Sequence, residues 1–208
     1  MKKNFGDFEE QKDSDHEHLE ITFSPTSRPL QQRWRNNGLS ADFLADYLST
    51  FFPGEDSSSQ ERQTELKDAI SFIANELLEN AMKFNHAPSQ DPVSIEMYLA
   101  EDEVSLYVTN SVAPQTIADF QNFLQRLLTE DTDELYMEQL MQNAEKEDTD
   151  DENTTRSGLG YLTMINDYGV KLAWKFEPPE PDSDGMMVTT MAQLKVYISY
   201  AVCCAGLL

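Results

Sequence analysis

The sequence predicts an α+β fold in which one β-sheet is covered on one face by a layer of helices. Three observations predict it: strand-like alternation recurs in five segments, helical spacing of apolar residues recurs between them, and neighbouring strands follow closely enough to form hairpins. At 208 residues with 39% apolar composition, the chain is long enough to form one domain with a substantial core.

The first predicted elements are one strand and two helices. Apolar residues alternate with polar ones over 19–23, and Pro25 ends this strand. Helical spacing then follows Ser40, which is a suitable N-cap, and stops at a proline-glycine pair. After a polar linker over 55–59, a long amphipathic helix is predicted over 61–85.

The middle of the chain predicts a hairpin followed by two helices. Period-two alternation over 93–99 and 104–108 is separated by only four residues, which favours a hairpin. Pro114 is a good first-turn residue for the helix that follows it. A second, weaker helical pattern covers 133–144.

The last elements are a short helix and two strands. Gly158 is placed to begin this helix and Gly169 to end it, because glycine is favoured just beyond a helix C-terminus. Alternation over 170–176 and 188–196 then predicts two more strands, which complete a domain that spans residues 19–196.

The charge of the chain excludes two classes of partner. The formal net charge is −23, whereas nucleic acids and anionic membranes require a basic surface. Acidic residues concentrate in 7–20 and in 130–152. We predict that residues 1–18 form an acidic flexible arm and that the end of the second stretch is a solvated loop, for which simple solubilisation is an alternative explanation.

The chain is expected to be cytoplasmic. It contains no run of about 20 apolar residues, and its first 20 residues lack a hydrophobic segment of the secretory type. Residues 197–208 form an apolar tail with adjacent cysteines, Cys203 and Cys204. This tail could pad the core, pair along a sheet edge, or join two chains as a homodimer.

One polar stripe on the long helix is a candidate functional site. At about 100° per residue, Glu76, Asn80 and Lys83 fall within roughly 60° of one another, beside the apolar face. A carboxylate, an amide oxygen and an ammonium group suit a magnesium-phosphate site, as base, cation ligand and phosphate contact. The alternative is an ordinary polar edge of an amphipathic helix.

A glycine-containing turn is the second candidate. Ser157, Gly158 and Gly160 directly precede or begin a predicted helix, where backbone N–H groups and the helix dipole favour an anion. The alternative is a simple capping turn.

Taken together, the two motifs resemble the GHKL superfamily of ATP-binding domains, which includes histidine kinases, anti-sigma-factor serine kinases and gyrase-type ATPases. Residues 76–83 resemble the family's asparagine box, and 157–160 its second glycine box. The resemblance implies a two-layer sandwich with a mixed sheet, ATP and Mg²⁺ as cofactors, Asn80 as magnesium ligand, Glu76 as catalytic base, and Lys83 near phosphate. It also implies an ATP lid, here the acidic segment of about 130–156.

The first glycine box of the family is missing. Its aspartate position is occupied by Asn110, and neither glycine follows. An asparagine can accept a hydrogen bond from adenine but lacks the charge that strengthens such bonds. The chain is most similar in this respect to the SiaB-type serine/threonine kinases of bacterial partner-switching systems.

Two functions follow from these observations. The first is a GHKL-type serine/threonine kinase acting on a small phosphoacceptor or anti-sigma-antagonist-like protein. The second is a degenerate adaptor that regulates a partner through its acidic lid without phosphate transfer. No histidine precedes the asparagine box in a suitable helix, which argues against an autophosphorylating histidine kinase.

Overall fold

The structure is a computed structural model that describes residues 2–10, 17–24, 34–52, 57–86, 89, 91–100, 102–147, 158–178 and 185–196. Its strands are β1 (Lys3–Phe5), β2 (Glu17–Phe23), β3 (Val93–Leu99), β4 (Glu103–Val112), β5 (Lys171–Glu177) and β6 (Met186–Lys195). Its α-helices are α1 (Trp34–Ser49), α2 (Ser57–Phe84), α3 (Ile117–Thr129), α4 (Thr132–Glu147) and α5 (Leu159–Tyr168), with a short 3₁₀ turn (Pro114–Thr116) before α3.

The strands form one sheet in the order β1-β5-β6-β4-β3-β2, which confirms the α+β sandwich. The prediction of a mixed sheet is wrong for the described strands, because every neighbouring pair is antiparallel. The physical reason is the connectivity: β3 and β4 form the predicted hairpin, β5 and β6 reverse in the same way, and the two hairpins join where β4 pairs with β6 over ten residues.

The two faces of the sheet have different coverings. Leu106 and Val108 point into the main core with the helices, whereas Tyr107 between them points to the opposite face, as strand geometry requires. Helix α2 packs on β3 and β4, and α5 packs on β5. The largest side chains of the core are fully buried and include Trp174, Phe176, Leu44, Leu48, Ile73 and Leu77.

The amino-terminal segment differs from the predicted flexible arm. Residues 3–5 form β1 on the edge of the sheet beside β5, and Phe5 is buried in the core. Gly6 turns the chain with a φ of 69°, and Phe8 then packs on Tyr107 at the outer face. A three-residue strand is too short to show alternation, so its pairing could not be read from sequence.

Helix α1 begins before the predicted cap. Ser40 lies within α1, which starts at Trp34, because the buried face continues backwards through Ala41 to Asn37. Because the buried residue Asn37 is polar, the apolar spacing in the sequence does not reveal this first turn of the helix. Similarly, the predicted linker over 55–59 ends early, since α2 begins at Ser57.

Most of the remaining boundaries agree with the predictions, but β4 continues past the predicted end at 108 to Val112 and so includes Asn110. Helices α3 and α4 follow Pro114 in order, and α5 lies between Gly158 and Gly169, both of which have left-handed φ angles. Ser157, the end of the predicted lid over 148–156, and the tail over 197–208 lie outside the described residues. Among the helices that are described, none combines the length and apolar content needed to cross a membrane.

Candidate functional site

A cavity of about 390 Å³ lies between α2, the sheet, α3, α4 and the start of α5. Its lining combines aromatic and aliphatic groups with carboxamides, hydroxyls and one carboxylate. The polar lining residues are Asn80, Asn110, Thr116, Asp119, Gln139, Gln142 and Thr190, and the aromatic ones are Phe84, Phe120, Phe123 and Tyr161. Such a mixture of apolar walls and a limited number of polar groups is typical of a small-molecule site.

Helix α2 brings the asparagine of the polar stripe to this cavity. Asn80 is half-buried and lines the cavity together with its neighbours Leu77 and Ala81, which also contribute to the core. The polar stripe and the apolar face therefore meet at the cavity wall. Of the three predicted stripe residues, Asn80 is the one whose side chain belongs to the lining.

Glu76 lies one helical turn before Asn80, packed against the start of α5. A Cβ atom placed at Gly160 would collide with Glu76 Oε2, so the missing side chain of Gly160 is what admits the carboxylate. Burial raises the pKa of Glu76, and the nearby Glu79 carboxylate raises it further. A carboxyl group with a raised pKa is better suited to accept and release a proton near neutral pH.

We expect Glu76→Gln to stabilise the protein at pH 7 but not at about pH 3.5. Between the ordinary value of 4.5 and the raised pKa, the folded state binds more protons than the unfolded state. The free energy of unfolding therefore falls as the pH rises through that window, and a glutamine removes this loss. Urea unfolding at both pH values measures the difference.

Glu79→Gln is the matched control for this prediction, because Glu79 is exposed and its loss removes the same charge. A stabilisation at pH 7 that is larger for Glu76→Gln than for Glu79→Gln supports the burial argument. Destabilisation by Glu76→Gln at pH 7 would show instead that a partner favours the ionised carboxylate.

Lys83 lies further along α2, away from the cavity lining. Its ammonium group is 4.9 Å from the ring centroid of Phe84, and that ring does line the cavity. Burial lowers the pKa of Lys83, and the charge of Glu79 opposes this effect. Lys83 thus contacts a ring that lines the cavity but does not itself belong to the lining.

Asn110 reaches the cavity from β4 and is buried. Its Nδ2 donates a hydrogen bond to the backbone oxygen of Ser111 at 3.2 Å. With the amide N–H engaged in this way, the carboxamide oxygen is the atom suited to accept a hydrogen bond from a ligand.

The turn before α5 forms another wall of the cavity. Gly158 lines it with a φ of 95°, and a Cβ atom there would lie 3.3 Å from ring carbons of Phe123. Both the left-handed conformation and the close approach favour glycine. Gly160 follows within α5 and faces Glu76, and Ser157 lies outside the described residues.

Helix α4 covers the cavity with Gln139 and Gln142, and an ion pair and a hydrogen bond connect it to α3 and α5. Arg126 of α3 donates from Nη2 to Glu138 of α4 at 2.6 Å and to Glu130 at 2.8 Å. On the other side, Asn166 of α5 donates to Asp133 at 3.1 Å. The first part of the predicted lid is therefore an ordered helix that is connected to α3 and α5.

Several lining residues were not predicted from the sequence. Asp119 and Thr190 lie on α3 and β6, and Gln139 and Gln142 lie on α4. Gln139 and Gln142 lie at helical spacing from the buried Leu135, which is the local signal that could identify them as inward-facing. Thr190 belongs to an alternating strand and has no local feature that distinguishes it from other strand threonines.

Comparison with known proteins indicates a relationship at the level of structure. No protein family matches the chain, and no curated protein matches it. Among solved structures, it is similar to a chain of the crystal structure of the SiaB–SiaC complex from Pseudomonas aeruginosa. The TM-score is 0.54 at 16% sequence identity, covering 85% of this chain and 89% of that chain. A similarity at this level of identity establishes a shared fold.

Proposed function

We propose that this protein binds ATP with Mg²⁺ in the cavity and acts in the cytoplasm as a serine/threonine kinase of a partner-switching pathway. The observation that carries the proposal is the convergence of three distant segments on one cavity. Asn80, Asn110 and Gly158 belong to the nucleotide site that the sequence predicts, and all three line the cavity. Such convergence is unexpected if each were only a helix edge, a strand end or a capping turn.

The shared fold supports the proposal of a protein partner. The similar solved structure is a complex of two proteins, SiaB and SiaC. By analogy, we propose that this chain also acts on a small partner protein, a phosphoacceptor or an anti-sigma-antagonist-like protein. The acidic character of the chain, with a net charge of −23, favours a partner that presents a basic surface.

The proposal assigns a role to five of the predicted residues. The carboxamide of Asn80 would hold the magnesium ion, and the oxygen of Asn110 would accept from the base. The backbone at Gly158 and Gly160 would approach the phosphates, as at other helix starts. Bound nucleotide would supply the phosphoryl group. Glu76 would take the proton of the partner's hydroxyl at its carboxylate.

We expect Mg²⁺-ATP to raise the melting temperature of the protein and Asn80→Ala to abolish the increase. A ligand that binds only the folded state stabilises it by about 2.7 kcal/mol at 100 times its Kd. Without the carboxamide, the cation would lose its proposed ligand. Differential scanning fluorimetry with ATP, with and without magnesium, measures the shift.

Asn75→Ala is the matched control. Asn75 is an asparagine of the same helix, is half-buried, and does not belong to the cavity lining. It should retain the full shift. If millimolar Mg²⁺-ATP leaves the melting temperature of the wild type unchanged, the proposal of nucleotide binding fails.

A non-catalytic adaptor is the second candidate, and two observations favour it. The charged side chain in the described lining is the carboxylate of Asp119, which would repel phosphates. In addition, Glu76 contacts Gly160 rather than the cavity. An adaptor of this kind would bind its partner with no transfer of phosphate, so a transfer assay with the partner distinguishes the two functions.

A further inference from the structure

Helix α4 exposes an apolar stripe on the side that faces away from the cavity. Met137, Leu140 and Met141 are 53%, 39% and 62% exposed, and their spacing of three and four residues places them on one face. The opposite face carries buried Leu135 and the cavity residue Gln139. The helix is therefore apolar on two sides, of which only one packs against the domain.

Acidic residues surround this outer stripe. Among the residues of α4 whose side chains the structure describes, Asp133, Glu134 and Glu138 are acidic and none is basic. Asp133 and Glu138 are engaged with Asn166 and Arg126, and those contacts fix the orientation of the helix. A second copy of this chain would bring a charge of −23 against the same acidic rim, which disfavours self-association through this face.

The chemistry of the stripe indicates what it could bind. Methionine side chains are flexible and polarisable, so a Met-rich surface adapts to varied apolar partners. A helix of 16 residues is about 24 Å long, which suits a second helix that presents apolar residues at the same spacing. Basic residues at the edge of such a helix would face the acidic rim.

We propose that the outer face of α4 binds a basic amphipathic helix of a partner protein. The apolar side of that helix covers Met137, Leu140 and Met141, and its lysine or arginine residues meet the carboxylates beside them. This inference rests on the proposed function in one respect: the bound helix belongs to the partner protein that this chain regulates. Binding at this surface requires no nucleotide.

The test uses the full chain and a synthetic peptide of about 14 leucine and lysine residues whose leucines recur at helical spacing. We expect the double variant Met137→Ser/Met141→Ser to weaken peptide binding by about tenfold or more, because buried apolar anchors dominate interface energies. Both positions are exposed, so folding should be retained. Isothermal titration calorimetry measures the affinity.

Two controls distinguish specific binding at this surface from nonspecific hydrophobic binding and from charge attraction alone. Leu39→Ser/Phe43→Ser removes equally exposed apolar residues from α1, and it should leave peptide affinity unchanged. A peptide of the same composition with its leucines out of helical register should bind more weakly than the amphipathic peptide. Equal affinity of the Met137→Ser/Met141→Ser variant and the wild type would overturn the proposal.

Sedimentation measures the oligomeric state, and titration with Mg²⁺-ATP measures nucleotide binding. Together they distinguish failure of the docking proposal from failure of the proposed nucleotide function. A wild-type dimer that the two methionine substitutions dissociate would overturn the partner helix in favour of a second copy. Loss of peptide binding by the variant with an unchanged Mg²⁺-ATP shift supports a docking surface separate from the nucleotide site. If ATP gives no shift in any variant, the proposed nucleotide function fails, and the peptide result still decides the docking proposal.

Discussion

Glu76→Gln is expected to slow phosphate transfer to a serine or threonine of the partner by about 10²–10⁴-fold while nucleotide binding is retained. This is the usual contribution of a positioned general base, and a carboxamide of the same size cannot accept the proton. Glu76 is half-buried against Gly160, and burial raises its pKa toward the range in which a base is most effective. A single-turnover assay with labelled ATP and the partner measures the rate.

The pH dependence of transfer separates a proton acceptor from a residue that only maintains structure. With Glu76 present, the rate should rise with pH through the raised pKa of its carboxyl group, because only the ionised form accepts a proton. The Glu76→Gln variant should lack this rise, and Glu79→Gln should retain it. Transfer at the wild-type rate by Glu76→Gln would reject Glu76 as the base.

Local patterns predicted most of the fold because the corresponding interactions are local. The hairpin of β3 and β4 follows from two alternating segments with a short connection. The bounds of α5 follow from Gly158 and Gly169, whose left-handed conformations few other residues adopt. In contrast, β1 has three residues and pairs with β5 about 170 positions later, so nothing near it in sequence indicates its place.

The site was predicted less completely, and the reason is geometric. Angular position around α2 places Glu76, Asn80 and Lys83 on one stripe, but it ignores distance along the helix. Seven residues separate the first from the last, which is about 10 Å along the axis. The cavity opens near Asn80, so Glu76 contacts α5 instead, and Lys83 lies beside Phe84.

Contributions from other elements depended on tertiary packing that a single sequence does not reveal. Gln139 and Gln142 reach the cavity because Arg126 and Asn166 hold α4 across it. The side chain of Thr190 lines the cavity because β6 occupies the middle of the sheet. A helical pattern predicts that α4 exists, but its orientation depends on contacts with other elements: the burial of Leu135, the ion pair of Glu138 with Arg126 and the hydrogen bond of Asp133 with Asn166.

Trp174→Ala is expected to lower the free energy of unfolding by about 3–5 kcal/mol, the range for truncating a large buried aromatic side chain. Trp174 is fully buried in β5, and its ring packs edge-on against Tyr161 at a centroid distance of 5.5 Å. The substitution therefore leaves a void directly behind a wall of the cavity. Urea denaturation measures the loss of stability.

The same substitution should also weaken ligand binding, because Tyr161 would lose the surface that fixes its ring. Trp174→Phe is the matched control: it keeps an aromatic ring behind Tyr161, leaves a smaller void, and should cost less in stability than the alanine variant. If Trp174→Ala lowers the free energy of unfolding by less than about 1 kcal/mol, the surrounding side chains have filled the space left by the indole ring. The core would then not hold Tyr161 rigidly, and the cavity would have to be shaped by its bound ligand.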